Sequence, residues 1–147
     1  MKVAFEAEFG KVWTDNLSPN VFTLITQLPS NEAQTLLFFE TQMELVKSIK
    51  KQFKEAYLIS DFSKTTEEMR AKLCNYYMEY VPKLVKAKVS YIAFVCPHQA
   101  FEQLPADKKA KLSEAPLGIY ATFVEALAAV NLKRSLELSQ RFENSIR

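Results

Sequence analysis

The sequence predicts an α/β fold on a mixed sheet, and three stretches of the chain support this prediction. Residues 54–62 and 89–97 are apolar runs of strand length, joined by a strongly periodic helical pattern over 65–88. Two strands connected by a helix become parallel neighbours through a right-handed crossover. The alternating residues 3–9, followed by a glycine and a short return, predict an antiparallel hairpin that adds some α+β character.

Turn residues and a helix cap define the elements between the hairpin and the crossover. Residues 15–20 form a dense turn signal, and the β-branched and aromatic residues 21–27 predict a third strand. Ser30 or Asn31 can cap the next helix, because a short side-chain oxygen accepts from the free N–H groups of its first turn. The broad apolar stripe over 36–53 predicts a helix lying flat on a sheet.

The crossover helix has the cleanest amphipathic pattern in the chain. Thr65 with Glu68 forms a capping-box pattern at its start. Pro82 is expected to kink or end the helix, because proline lacks an N–H and clashes with the preceding turn.

The C-terminal third of the chain predicts two short helices, a strand and a long helix. The short helices cover 100–104 and 106–114, and the last strand covers 117–121. Thr122 with Glu125 forms a second capping box, after which a helix can run to the end of the sequence.

Length and composition predict one domain over 1–147, with 131–147 as a helical extension. The 19 basic and 17 acidic residues are nearly balanced, so no nucleic-acid partner is expected. The N-terminus lacks the apolar core of a signal peptide, and no apolar run reaches the length of about 18 residues that a membrane span needs. Cys74 and Cys96 fall inside predicted elements, which favours free thiols and a cytoplasmic protein.

Glycine and histidine counts argue against the common cofactor motifs. The two glycines, Gly10 and Gly118, are too far apart to form a glycine-rich phosphate cradle. The single histidine, His98, and the lack of paired Cys-x-x-Cys argue against the usual zinc sites. We therefore expect no cofactor and no metal.

Four strings also resemble a known family. The strings at 12–18, 58–64, 89–97 and 119–127 resemble the SpoIIAA-like (STAS-type) fold, and more closely a poorly characterised bacterial branch of it. The resemblance covers roughly residues 3–131, and it implies about five strands in a mixed sheet, helices mainly on one face, and no established activity.

The chain also departs from this family in two places. The phosphoserine site of the anti-sigma-factor antagonists is not matched, since Ser63 directly follows the strand acid and no glycine comes after it. Regulation by phosphorylation is therefore not carried over. The family's usual Trp-Leu ending is replaced by Ala129 and Val130, followed by a further helical stretch.

Candidate site residues come from the carboxyl ends of the two parallel strands, the edge where open α/β sheets bind ligands. This edge carries Asp61, Ser63, Cys96 and His98. Asp61 can anchor a ligand or act as a general base, and Cys96 with His98 can form a thiolate–imidazole pair. The favoured interpretation is structural: a capping acid and serine, a buried cysteine and a surface histidine.

Two apolar sets suggest binding surfaces. The first can line a pocket for a small apolar ligand, although core packing is the favoured role: Phe38, Phe39, Tyr76, Tyr77 and Tyr80. The second lies on a broad helical face near the C-terminus and must pack on its own sheet or on a second subunit: Leu132, Leu136, Leu138, Phe142 and Ile146.

These observations lead to three functional hypotheses. The leading one is a non-catalytic regulatory or protein-interaction module that forms a homodimer. The second is a small-molecule or lipid-binding domain that uses the sheet edge near Asp61 and His98. The third is a cysteine-dependent enzyme that uses Cys96 and His98.

Overall fold

The elements of a computed structural model, which describes residues 1–15 and 17–146, follow the predicted order. The predicted turn at 15–20 and the predicted extension at 131–147 each include one residue outside this range, Asn16 and Arg147. The strands are β1 (Lys2–Ala7), β2 (Gly10–Thr14), β3 (Asn20–Ile25), β4 (Tyr57–Asp61), β5 (Tyr91–Val95) and β6 (Leu117–Tyr120). The helices are α1 (Glu32–Phe53), α2 (Glu67–Lys86), α3 (His98–Glu102), α4 (Ala106–Ser113) and α5 (Phe123–Ser145).

The strands form one mixed sheet in which spatial order follows chain order, β1-β2-β3-β4-β5-β6. The pairs β1–β2 and β2–β3 are antiparallel, whereas β3–β4, β4–β5 and β5–β6 are parallel. The α/β prediction is therefore confirmed. The described residues form six strands, one more than the resemblance implies, because the N-terminal hairpin contributes two strands and the parallel part contributes four.

The helices cover the sheet unequally. Helices α1 to α4 pack on one face, where alternate strand residues such as Leu58 and Ile92 are buried. Helix α5 crosses the opposite face and buries Ala126 and Val130 against Tyr57 and its neighbours. The extended C-terminal helix thus folds back on its own sheet through its first turns.

Two predicted boundaries and one predicted break are wrong. Lys54 ends α1 in the left-handed region with φ of 70°, so the next strand begins at Tyr57 and not at 54. Thr66 caps α2 by accepting from the Met69 N–H, whereas the Thr65 hydroxyl donates to the Phe62 carbonyl. Helix α2 also continues through Pro82, because the buried residues around the proline hold it against the sheet.

The aromatic residues proposed for a pocket form the packing between α1 and α2. Phe39 and Tyr80 stack with ring centroids 4.5 Å apart. Tyr76, which is 38% exposed, also stacks on Phe39, with ring centroids 5.7 Å apart. Core packing is therefore their main role, and only Tyr77 of this set also borders a cavity.

No helix within the described ranges combines the length and the apolar character needed to cross a bilayer.

Candidate functional site

The predicted edge site does not form a single cluster. Asp61 ends β4, and its carboxylate accepts from the Ser63 N–H at 2.8 Å, which is the capping turn that the structural interpretation predicts. The Ser63 side chain is exposed. These two residues belong to one local turn, and neither lines the cavity next to Cys96.

Cys96 and His98 separate at the end of β5. The Cys96 side chain is buried and borders a cavity, whereas His98 is exposed at the start of α3. No hydrogen bond joins the two side chains in the described structure. Burial raises the pKa of the Cys96 thiol, and the Arg70 guanidinium offsets only part of this rise. A neutral buried thiol without a base is poorly suited to nucleophilic catalysis.

An apolar cavity of about 70 Å³ lies beside this edge, between α2, the sheet and the α3–α4 segment. Its wall is mostly aromatic and aliphatic, including Phe62, Leu73, Phe94, Phe101 and Leu104. Neither Asp61 nor His98 lines it. Of the four predicted edge residues, Cys96 alone lines this cavity.

Arg70 provides the main polar group of this cavity. Its Nη1 donates to the Thr65 carbonyl at 2.8 Å and to the Thr65 hydroxyl at 3.3 Å. Its Nε is buried and has no partner among the described residues. No described carboxylate forms an ion pair with the guanidinium. Sequence reasoning missed Arg70, because a single arginine in a first helical turn looks like an ordinary surface residue.

A wider surface groove of about 290 Å³ continues from the cavity. Four residues border both spaces, namely Arg70, Cys74, Ala100 and Leu104. The outer part of the groove includes Lys108, whose ammonium donates to the Asn75 side-chain oxygen at 3.1 Å. The site therefore changes from apolar to polar along its length, and Arg70 lies at the boundary.

A buried charge cluster connects α5 to the start of β4. Glu55 is only 2% exposed, and its carboxylate accepts from Arg134 at 3.2 Å and from Arg141 at 3.0 Å. The Tyr57 hydroxyl lies 3.2 Å from Glu55 and 3.1 Å from Glu137. Burial, followed by a hydrogen bond with Glu137, raises the pKa of Glu55, and the two guanidiniums and Tyr57 lower it in part.

This cluster was not predicted, although the sequence contained a signal. Arg134, Glu137 and Arg141 recur at helical spacing and therefore share one face of α5. Glu55, the partner of both arginines, lies 79 to 86 residues earlier and falls in the predicted strand 54–62, where its neighbours in sequence do not indicate an ion pair. The cluster fixes the C-terminal half of α5 and contains no unpaired nucleophile, so its role is structural.

The five predicted interface residues lie away from the sheet. The apolar residues that do contact the sheet from α5 are Phe123, Ala126, Leu127 and Val130. The expectation that the later apolar residues pack on their own sheet is therefore wrong. We call the exposed apolar side chains of α5 and its C-cap the outer face of α5. They are 45% to 75% exposed, and they are Val124, Leu132, Leu136, Leu138, Phe142 and Ile146.

Among residues 1–15 and 17–146, no group of three or more His, Cys, Asp or Glu side chains is placed to hold a metal ion.

Comparison of the chain with family models, with curated proteins and with solved structures gave no match. The resemblance to the SpoIIAA-like fold therefore stays a prediction.

Proposed function

We propose that this protein is a non-catalytic interaction module that forms a homodimer through the outer face of α5. The single observation that carries the proposal is the exposure of five large apolar side chains on the 23-residue helix α5 and of Ile146 at its C-cap. Isolated exposed apolar residues are common, but a continuous apolar face of this size marks an interaction surface.

The opposite side of α5 is already occupied, so the outer face cannot turn inward. Val130 packs on the sheet, and further along the helix Arg134 and Arg141 bond to the buried Glu55. Lys133 adds a cation–π contact with Tyr91, its ammonium 4.9 Å from the ring centre. Rotating the helix to bury its outer face would break all of these contacts.

A second copy of the chain is the occupant that best fits this face. A two-fold dimer pairs the same patch from each protomer, so the apolar side chains of one outer face meet those of the other. Small residues at Ser135 and Ser139 lie between the large ones and permit two helices to approach closely.

The free cysteines support a reducing location. Cys74 and Cys96 form no disulfide, and Cys96 is buried. Free thiols of this kind fit the cytoplasm, which we propose as the location of this protein. The mixed sheet, with its helices mainly on one face, also supports membership of the SpoIIAA-like fold.

Light scattering coupled to size exclusion tests the dimer on the full chain. Wild type is expected at twice the chain mass, and a Leu132→Glu, Phe142→Glu double variant at the monomer mass. Gln52→Glu is the control, since it adds a charge to an exposed position of α1, which packs on the opposite face of the sheet, and should leave the dimer intact. A wild-type monomer at about 100 µM, or a double variant that remains dimeric, would contradict the proposal.

Point variants are preferable to truncation at residue 131. Removing 131–147 would also remove Arg134 and Arg141 from the buried Glu55. A loss of stability would then be confused with a loss of the interface.

A further inference from the structure

The cavity beneath α3 and the groove that continues from it form a site with one apolar end and one cationic boundary. The apolar end is lined by side chains such as Phe62, Leu73 and Phe94. The boundary carries Arg70, which borders both spaces. Ligand sites of this kind combine an apolar wall with a few placed polar groups.

The guanidinium of Arg70 has one edge occupied and one edge free. Nη1 is held by the carbonyl and the hydroxyl of Thr65, which fixes the plane of the group. Nε is buried and has no acceptor among the described residues, and Arg70 borders both the cavity and the groove. Leaving a buried charged donor unpaired is costly, so this edge is suited to an anionic acceptor supplied by a ligand.

A carboxylate is the anion that matches this free edge. The two oxygens of a carboxylate accept in parallel from adjacent N–H groups of a guanidinium, which gives a bidentate contact. We propose that this site binds an amphiphilic monocarboxylate, with its apolar tail in the cavity and its carboxylate on Arg70.

The dimensions of the cavity limit the tail. One water needs about 10–15 Å³ of such a cavity, so about 70 Å³ holds a chain of several methylene groups and no large ring system. The uncharged wall gives such a tail no hydrogen-bonding partner, which favours a saturated or simple aryl chain over a sugar or a nucleotide. This inference does not depend on the α5 dimer, because the site lies on the other face of the sheet.

Calorimetric titration of the full chain with three probes tests the proposal. Octanoate supplies both tail and carboxylate, octan-1-ol the tail alone, and acetate the carboxylate alone. We expect octanoate to bind at least tenfold more tightly than either of the others. Equal binding of octanoate and octan-1-ol would show that Arg70 has no part in recognition, and failure of the whole series from butanoate to dodecanoate to bind would overturn the proposal.

Two variants locate the binding. Arg70→Gln should weaken octanoate at least tenfold and leave octan-1-ol unchanged. Ala100→Leu should fill the cavity and weaken both, whereas Gln99→Leu, at an exposed neighbouring position of α3, should weaken neither. Octanoate binding that survives Ala100→Leu would place the ligand elsewhere and overturn the assignment, even if Arg70→Gln fails to fold.

Cysteine alkylation gives an independent measurement. Cys74 borders both the cavity and the groove, and its side chain is partly accessible. Bound octanoate should slow its reaction with iodoacetamide several-fold, as measured by mass spectrometry. An unchanged rate at saturating octanoate would contradict binding in this site.

Discussion

The Arg141 guanidinium donates to the Glu55 carboxylate at 3.0 Å, and this contact joins residues 86 positions apart in the chain. Arg134 bonds to the other carboxylate oxygen, so one buried acid holds two turns of α5. The contact explains why α5 stays against the sheet beyond its last apolar inner residue, Val130.

Removing Arg141 should destabilise the fold more than neutralising Glu55 does. Arg141→Met leaves a buried carboxylate with one counter-charge fewer, and we expect a loss of about 1–3 kcal/mol at pH 7, less than for a fully buried pair because Arg141 is 41% exposed. Glu55→Gln removes the charge that needs a partner and keeps the hydrogen-bonding shape, so we expect a change below about 1 kcal/mol. Urea unfolding measures both.

The double variant Arg141→Met, Glu55→Gln tests the coupling directly. Because the Glu55 carboxylate that lacks a counter-charge in Arg141→Met is absent, the double variant should recover most of the stability lost in Arg141→Met. Lys47→Met, an exposed position on α1, is the control for removing a cation and should be nearly neutral. Additive effects in the double variant would show that the two side chains do not interact.

The pH dependence of stability should have the opposite sign to that of an ordinary salt-bridged acid. Burial and the Glu137 hydrogen bond raise the pKa of Glu55 in the folded state, above the unfolded value of about 4.3. The folded state then binds more protons, so the free energy of unfolding falls as pH rises from about 4.3 through the folded pKa. The contribution of Glu55 is therefore fully present below 4.3.

The difference in unfolding free energy between wild type and Glu55→Gln isolates this effect from the other acids. As pH rises from about 4.3 through the folded pKa of Glu55, wild type should lose stability relative to Glu55→Gln. Above that pKa the difference should become constant. A difference that moves in favour of wild type with rising pH would mean that the guanidiniums, and not burial, dominate the pKa of Glu55.

The two valines of α5 test which side of the helix faces the sheet. Val130 is fully buried on the sheet, and Val124 is 75% exposed on the outer face. Val130→Ala should cost about 2 kcal/mol through lost burial and a residual cavity. Val124→Ala should stay within about 0.5 kcal/mol, since alanine also favours helix slightly. Thermal unfolding in the Leu132→Glu, Phe142→Glu background, which removes the proposed dimer, compares them. Equal losses would contradict the assigned inner face.

The two glycines should respond differently to alanine. A Cβ on Gly10 would lie 2.5 Å from the Leu24 carbonyl oxygen, so the backbones of β2 and β3 must separate. A Cβ on Gly118 would meet the hydroxyl ends of Tyr91 and Tyr120, which can move once their mutual 2.6 Å hydrogen bond breaks. We expect about 2–3 kcal/mol for Gly10→Ala and about 1 kcal/mol for Gly118→Ala. Denaturant unfolding measures both, and the reverse order would contradict these close approaches.

The fold is largely predictable from the sequence because its signals are local. Apolar runs, the Asn31 and Thr122 caps and the alternation of the N-terminal hairpin each act within a few residues, and the structure confirms them. The exceptions also have local causes. Lys54 adopts a left-handed conformation that no pattern in the sequence marks, and Pro82 is held in α2 by packing that depends on the assembled core.

The candidate sites are less predictable because they depend on contacts between distant segments. Arg70 and Glu55 look like surface charges until the sheet and α5 are in place around them. The prediction of a ligand edge chose residues by chemistry alone and so selected Asp61 and His98, neither of which lines the cavity. The sequence also does not show which side of α5 packs on the sheet, so it does not show which apolar residues stay exposed on the outer face.

The matching of strand order to chain order has a consequence for synthesis. During translation each new strand can join the edge formed by the strand before it, so the growing sheet need never rearrange. Glu55 is the exception, because its guanidinium partners leave the ribosome about eighty residues later. Until α5 emerges, the nascent sheet exposes both this acid and the apolar surface around Tyr57, and the arrival of the last helix covers them together.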